Sequence, residues 1–266
     1  MPELSPAALR LLRFAAIAST VVLLAFAALE GVLTLQAAIG HPGQTIGLDL
    51  WLYLDRTRSW LAGDGFYLPR QLAGVAYDIL PGDVLYPPVV LWLLVPFTVL
   101  PPVLWWAIPL GVTAVALVRL APAWPAWPLL ALIALYPRTW EVLVYGNPSM
   151  WVIAAIAAGA AWGWPAVLAL VKPTLAPLAL IGVRRRGWWI GLGVLAVASL
   201  PFGVAWLDYA GVLAHATNRF GIDYVIGEWP IALGPVIARL ASTTTPWRRT
   251  PQSAADRMPP QPAGRP

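Results

Sequence analysis

From about Ala8 to Ile39 the chain is almost without charge; only Arg10, Arg13 and Glu30 interrupt a run of Leu, Ala, Val and Phe. A bilayer core is about 30 Å thick and takes about 20 apolar residues of helix to cross. This segment, with its core at Leu11–Leu35, exceeds that length. It is too long for a signal peptide and lacks a small-residue cleavage site, so it is expected to be retained as a span. Further apolar segments lie at about Tyr86–Leu100, Val103–Leu120, Trp127–Val144, Ser149–Trp162, Trp164–Val183 and Trp188–Leu207, with a shorter one at Pro230–Leu240. The expected fold is therefore an all-α polytopic membrane protein of seven or eight transmembrane helices. Several segments fall short of 20 residues and carry Pro96, Pro109, Pro173 or Pro201. Kinked spans need neighbours to satisfy freed backbone groups, which favours a compact bundle.

Composition supports this reading. Charged residues make up 11% of the chain, against about 25% in soluble domains. That excludes a soluble enzyme, a disordered protein and a disulfide-stapled secreted domain. The absence of cysteine removes thiol catalysis, iron–sulfur clusters and disulfides. The net charge of +5 is explained by placement rather than by nucleic acid. Arg10 and Arg13 precede the first span, Arg184, Arg185 and Arg186 follow the sixth, and Arg239, Arg248, Arg249, Arg257 and Arg265 sit near the C-terminus. With a cytoplasmic N-terminus these groups fall inside, as the positive-inside rule requires. Asp49, Asp55, Asp64, Asp78, Asp83, Asp208, Asp223 and Glu228 then fall in outer loops, and Arg119 breaks the pattern by falling outside. The chain divides into one membrane domain, residues 1–241, and a basic tail, residues 242–266. The tail is rich in Pro, Ser and Thr and is expected to be disordered in the cytoplasm. The localisation implied is a multi-pass protein of the plasma membrane. Tryptophans at segment ends (Trp105, Trp106, Trp124, Trp127, Trp162, Trp164, Trp188, Trp189) read as an interfacial belt.

The first outer loop, residues 41–85, is far longer than an ordinary connection and holds five carboxylates and three arginines, Arg56, Arg58 and Arg70. Leu48, Trp51, Leu52, Leu54, Trp60 and Leu61 recur at helical spacing. They predict an amphipathic helix over Leu48–Ala62, ended by Gly63, Asp64 and Gly65. Asp49 stands at its start, where a carboxylate also serves simply as a cap. Asp55 with Arg56 and Arg58 reads as a solvated face. His41 reads as interfacial.

The run Asp49-Leu-Trp-Leu-Tyr53, then Gly63 and Tyr67, resembles the first outer loop of family 87 glycosyltransferases. These are polyprenyl-phosphate-mannose-dependent mannosyltransferases of the GT-C superfamily, found in actinobacteria. Leu85-Tyr86-Pro87-Pro88 is similar to the family's Tyr-Pro-Pro motif, Gly146-Asn147 to its Gly-Gln, and Lys172-Pro173 before Arg184-Arg185-Arg186 to its Lys-Pro and basic loop. The chain departs from the family in having Asn147 for Gln and in being shorter. The resemblance implies a GT-C-like bundle that moves a sugar from a polyprenyl-phosphate donor to a glycan or glycolipid acceptor at the outer face, with inversion. It implies Asp49 as general base. Such a base must lie within hydrogen-bond reach of the attacking hydroxyl, and the departing phosphate calls for cations or N–H groups.

Candidates for that second role are few. Lys172, the sole lysine, falls inside an apolar segment, where charge is expensive and commonly functional. Either it serves a phosphate or it pairs with a carboxylate such as Glu30 or Glu141. Arg138 and Glu141, three apart, could form an ion pair on one helix face. Arg70, Arg219 and His215 lie in outer loops, where they meet a phosphate or only solvent. Tyr86 and Asn147 complete the set as cavity-shaping residues. No metal-ligand spacing and no phosphate-cradling Gly-rich motif occurs, so the sequence supports no nucleotide cofactor, and it leaves metal dependence open. Two other classes fit the residues: a transporter or lipid-carrier translocase, and a catalytically inactive subunit that keeps the fold.

Overall fold

A computed structural model describes residues 5–40, 45–80, 82–217 and 220–243, with side chains of the last segment over 226–242. The expected tail, apart from Ser242 and Thr243, lies outside the described residues, as do His41 and Arg219. The described residues are helical and contain no strand; Tyr77 and Ala216 form one isolated bridge. The helices are α1 (Pro6–Gly40), α2 (Leu48–Ala62), α3 (Leu91–Phe97), α4 (Val103–Leu120), α5 (Trp127–Leu135), α6 (Pro137–Val144), α7 (Ser149–Trp162), α8 (Arg186–Ser199), α9 (Gly203–His215) and α10 (Phe220–Thr243).

Three stretches are long and apolar enough to cross a bilayer: Pro6–Gly40, Val103–Leu120 and Arg186–His215. A fourth counts if α6 and α7, bent by 111°, are one broken span. The protein is thus an all-α membrane protein. The helix α1 leaves most of its side chains exposed, as a lipid-facing helix does, and packs along α5 and α6. By contrast α7 is almost wholly buried at the centre. Its Ala154, Ala155, Ala157, Ala158, Gly159 and Ala160 allow neighbours to approach closely, which is how membrane helices gain packing energy where lipid is as apolar as leucine.

Proline decides where the expected spans break. A residue before proline is driven out of the α region. Tyr136, before Pro137, adopts φ −61°, ψ 123°, and splits the expected Trp127–Val144 span into α5 and α6. Lys172, before Pro173, adopts φ −120°, ψ 99°. The expected Trp164–Val183 span is consequently two 3-10 stretches, Trp164–Val171 and Pro173–Gly182, packed against each other. Their outer ends meet: a Cβ on Gly182 would fall 2.2 Å from the Gly163 carbonyl oxygen. The segment is therefore a hairpin with Lys172 at its tip. The expected Tyr86–Leu100 span is also short, the 3-10 turn Pro88–Val90 followed by α3. Its ten residues reach about 15 Å, half a bilayer.

The helix α4 begins beside the α6–α7 turn, where the Trp105 indole donates to the Gly146 carbonyl and the Trp106 indole to that of Leu143, both at 2.7 Å. It ends with Arg119 over the Trp162 ring, at the far end of α7. There Arg185 donates to the Trp162 carbonyl at 2.9 Å and Arg239 to that of Ala160. Arg119 therefore lies at the same end as Arg185 and Arg239, not at the opposite end as the span count required. The tryptophan belt holds only in part: Trp127, Trp164 and Trp189 are exposed, whereas Trp105 and Trp188 are buried and donate to backbone carbonyls.

Since the chain lacks cysteine, single-cysteine labelling tests this topology. In sealed oriented vesicles, Arg119→Cys and Arg185→Cys should react with an impermeant maleimide from one side and Asp64→Cys from the other. Labelling of Arg119→Cys together with Asp64→Cys would refute the arrangement.

Candidate functional site

The turn between α6 and α7 builds the site. Gly146 takes φ +68°, a conformation that suits glycine. A Cβ there would lie 3.0 Å from the Trp106 ring and 3.2 Å from the Leu50 Cβ. This close fit seats α2 on the turn. The backbone N–H of Gly47 donates to the Val144 carbonyl at 2.8 Å, and that of Asp49 to the Tyr145 carbonyl at 2.9 Å. Carbonyls from the end of α6 thus satisfy donors that the first turn of any helix leaves open. Asp49 is accordingly not the expected cap: Gly47 is the N-cap, and no side chain caps it.

The Asp49 carboxylate is used elsewhere. Its Oδ2 accepts from Asn147 Nδ2 at 2.6 Å, while Oδ1 takes no hydrogen bond from the described residues. Asp49 is half-buried. Burial raises its pKa above the ordinary carboxylate value, and Glu228 raises it further; the Asn147 hydrogen bond and the charges of Arg138 and Lys172 pull the other way.

Behind Asn147 lies a buried polar chain. Asn147 Oδ1 accepts from the Ser149 backbone N–H at 2.9 Å and lies 2.5 Å from Ser149 Oγ. Ser149 Oγ is 2.8 Å from Glu228 Oε1 and accepts from Lys172 Nζ at 2.5 Å. Its single proton serves either Asn147 or Glu228, not both at once. Lys172 Nζ lies 2.5 Å from Glu228 Oε2; Lys172 is 6% exposed and Glu228 0%. Arg138 pairs with Glu141 at 2.6 Å and reaches within 4.0 Å of Glu228. Tyr86 closes the group: its hydroxyl lies 3.4 Å from Asn147 Oδ1 and 3.5 Å from Ser149 Oγ, and its ring lies 5.3 Å from Lys172 Nζ.

Five expected residues thus converge: Asp49, Tyr86, Arg138, Asn147 and Lys172. Two do not. Arg70 pairs with Asp83 at 2.6 Å and with the Asp78 carbonyl, bracing the loop. His215 Nδ1 bonds the Gly211 carbonyl at 2.8 Å, and the His215 carbonyl accepts from Tyr77 N at 2.9 Å. Sequence reasoning missed Ser149 and misplaced Glu228, expected in an outer loop but buried in α10. The helical length of Phe220–Thr243 was concealed by Pro230 and Pro235, both accommodated inside the helix. It also named Glu30 or Glu141 as partners for Lys172, where the partner is Glu228. The Arg138–Glu141 pair forms as expected.

An apolar groove of about 660 Å³ is lined by chain neighbours of this cluster, though by none of its members. Its walls include Val89, three residues beyond Tyr86, Val152, one turn beyond Ser149, and Val171, adjacent to Lys172. It extends along α8 to Gly187 and Ile190. Among the described residues no group of three or more His, Asp and Glu could hold a metal ion. No family model, no curated protein and no solved structure matches this chain.

Removing one member of a buried ion pair strands the other, at a cost of about 3–5 kcal/mol, whereas replacing both by apolar groups is often near neutral. Glu228→Gln should therefore lower the thermal unfolding temperature in detergent far more than the double change Glu228→Leu with Lys172→Met. Equal losses would mean the pair does not form.

Proposed function

We propose that the chain is an integral membrane glycosyltransferase. It moves a sugar, mannose on the family resemblance, from a polyprenyl phosphate to a lipid-linked or cell-envelope glycan. The observation that carries this reading is convergence. Four motifs far apart in sequence, at Asp49, Tyr86, Asn147 and Lys172, meet in one hydrogen-bonded cluster. They are the four segments on which the resemblance rests.

In this reading Asp49 is the general base. Asn147 holds one carboxylate oxygen, which fixes the group's orientation and leaves the other for the acceptor hydroxyl. The acceptor oxygen attacks the anomeric carbon as the bond to the phosphate oxygen breaks. The hydroxyl proton passes to Asp49, the bonding electrons leave with the polyprenyl phosphate, and the configuration inverts. Lys172 and Arg138 both face Glu228, so a phosphate would compete with that carboxylate for them. The apolar groove beside the cluster suits the donor's hydrocarbon chain. The bundle is GT-C-like, the arginine-bearing end is cytoplasmic by the positive-inside rule, and Asp49 faces the outer side. No cofactor is invoked, because the lipid-linked sugar is itself the donor.

One observation favours a second reading. The Lys172–Glu228 pair sits where backbone is broken inside a membrane bundle, as substrate and proton sites of carriers do. A lipid-carrier translocase would move a labelled lipid between leaflets without making a new glycosidic bond.

Transfer from labelled polyprenyl-phosphate-mannose should be lost in Asp49→Asn while expression and membrane insertion persist; transfer at the parent rate would remove Asp49 as base. The pH profile gives a finer test. The base works only when deprotonated, so with its pKa raised by burial the acid limb of kcat/KM should lie above about 3.9, the ordinary carboxylate value. Asn147→Ala deletes an interaction favouring the ionised form and should move that limb to still higher pH.

A further inference from the structure

Between Gln71 and Tyr77 the long loop carries five uncharged residues, Leu72, Ala73, Gly74, Val75 and Ala76, and all five are exposed. Runs of about three or four exposed apolar residues are avoided unless they serve a purpose. The two residues that bound this tip are buried and tied together. Gln71 Nε2 donates to the Tyr77 hydroxyl at 3.4 Å and to the Val84 carbonyl at 3.1 Å. Tyr77 is in turn pinned to the end of α9. Its hydroxyl donates to the Val212 carbonyl at 2.9 Å, its backbone N–H to the His215 carbonyl at 2.9 Å, and its carbonyl accepts from the Thr217 backbone N–H at 3.1 Å. Charged groups stand at the base of the loop, where Arg70 pairs with Asp83 and Asp78 accepts from the Thr217 hydroxyl at 3.0 Å. The base is polar and braced, while the tip is apolar and bare.

The tip lies alongside α9 rather than beyond it. A cleft of about 180 Å³ between them is lined by Leu72 and Gly74 of the tip and by Leu207, Asp208 and His215 of the helix. The helix α9 completes Arg186–His215, a stretch of 30 residues that is long and apolar enough to cross a bilayer. At 1.5 Å per residue that stretch reaches about 45 Å, the thickness of a bilayer with its headgroups included. Its last turns, which flank the tip, therefore reach headgroup depth. The outward face of α9 is apolar there, with Val204, Leu207 and Leu213 exposed. Leu207 belongs both to this face and to the wall of the cleft, so the apolar surface of the helix continues into the tip. The tip itself is neither helix nor strand, and Gly74 turns it at φ +71°. Irregular backbone is not tolerated against hydrocarbon, which limits the tip to the boundary between headgroups and acyl chains.

We infer that residues 72–76 form a membrane-surface anchor, whose tip sets Leu72 and Val75 into the headgroup boundary of the leaflet around the end of α9. The partner is the lipid surface, met through apolar contact about 5–10 Å below the headgroups, as interfacial segments meet it. Lipid suits the tip because the surface it continues is the outward face of a helix of membrane-crossing length. The anchor holds the loop from its far side, while Tyr77 holds it against α9. The same loop reaches the polar cluster through Tyr67, whose hydroxyl donates to the Tyr86 carbonyl at 3.0 Å. The anchor is separate from that cluster and does not depend on the glycosyltransferase reading.

The test uses the full chain reconstituted in phosphatidylcholine vesicles. Because the chain has no cysteine, Val75→Cys or Asp64→Cys supplies a single site for an environment-sensitive fluorophore. Two quenchers are compared: iodide, which acts from water, and phosphatidylcholine with a nitroxide high on its acyl chain, which acts from the bilayer. The label at Val75→Cys should lose most of its fluorescence to the nitroxide lipid and little to iodide, and the label at Asp64→Cys should do the reverse. Both positions are exposed, so neither change empties the core, and an unchanged unfolding temperature in detergent checks this. Iodide quenching at Val75→Cys equal to that at Asp64→Cys would overturn the proposal, since the tip would then stand in water. Shielding of the Val75→Cys label from both quenchers would also overturn it, since protein rather than lipid would then cover the tip.

Discussion

A carboxylate with no exposed surface must be neutralised, and the way Glu228 is neutralised organises the membrane domain. Two charges leaving water each carry a desolvation cost of several kcal/mol, which only close pairing and further hydrogen bonds offset. Lys172 at 2.5 Å, Ser149 at 2.8 Å and Arg138 at 4.0 Å meet that requirement. They come from the tip of a hairpin, the first turn of α7 and the start of α6. Three separate elements must therefore be in register with α10 before the pair can form. The interaction's value lies in that specificity as much as in stability.

The polar groups can gather only because the backbone breaks where they sit. Proline at 137 and 173 forces the preceding residue into an extended conformation. One break turns an expected crossing into α5 and a short α6; the other folds an expected crossing into a hairpin. Open carbonyls at the turn between α6 and α7 also find partners. Those of Leu143 and Gly146 accept from two tryptophan indoles, and those of Val144 and Tyr145 accept from the first turn of α2. The same turn that carries Asn147 thereby holds the helix that carries Asp49. Site and scaffold are one set of hydrogen bonds.

Segregation of charge has the same physical origin. The described carboxylates occupy the loop side and the cluster, where Arg56, Arg70 and Arg138 pair with some of them, while Arg119, Arg185 and Arg239 occupy the other end of α7, where helix carbonyls attract cations. Arg119 joins this group through its contact with the Trp162 ring. An apparent exception in the sequence thus lies beside Arg185 and Arg239 in the fold, since hydropathy scores a segment's composition and not its path.

Composition and apolar run length determined that the chain is an all-helical membrane protein. Helical spacing over Leu48–Ala62 located α2 with the bounds found, and the i,i+3 spacing of Arg138 and Glu141 gave their ion pair. The motif residues Asp49, Tyr86, Asn147 and Lys172 were also legible one by one. Which of them touch was not, because they are scattered along more than a hundred positions and no local periodicity links them. Tertiary structure alone decided that Glu228 is the partner of Lys172, that Ser149 joins the chain, and that Arg70 and His215 stand apart. Local pattern records how one segment meets water or lipid. Pairing of buried charges depends on where distant breaks bring the backbone together, and that is a property of the assembled bundle.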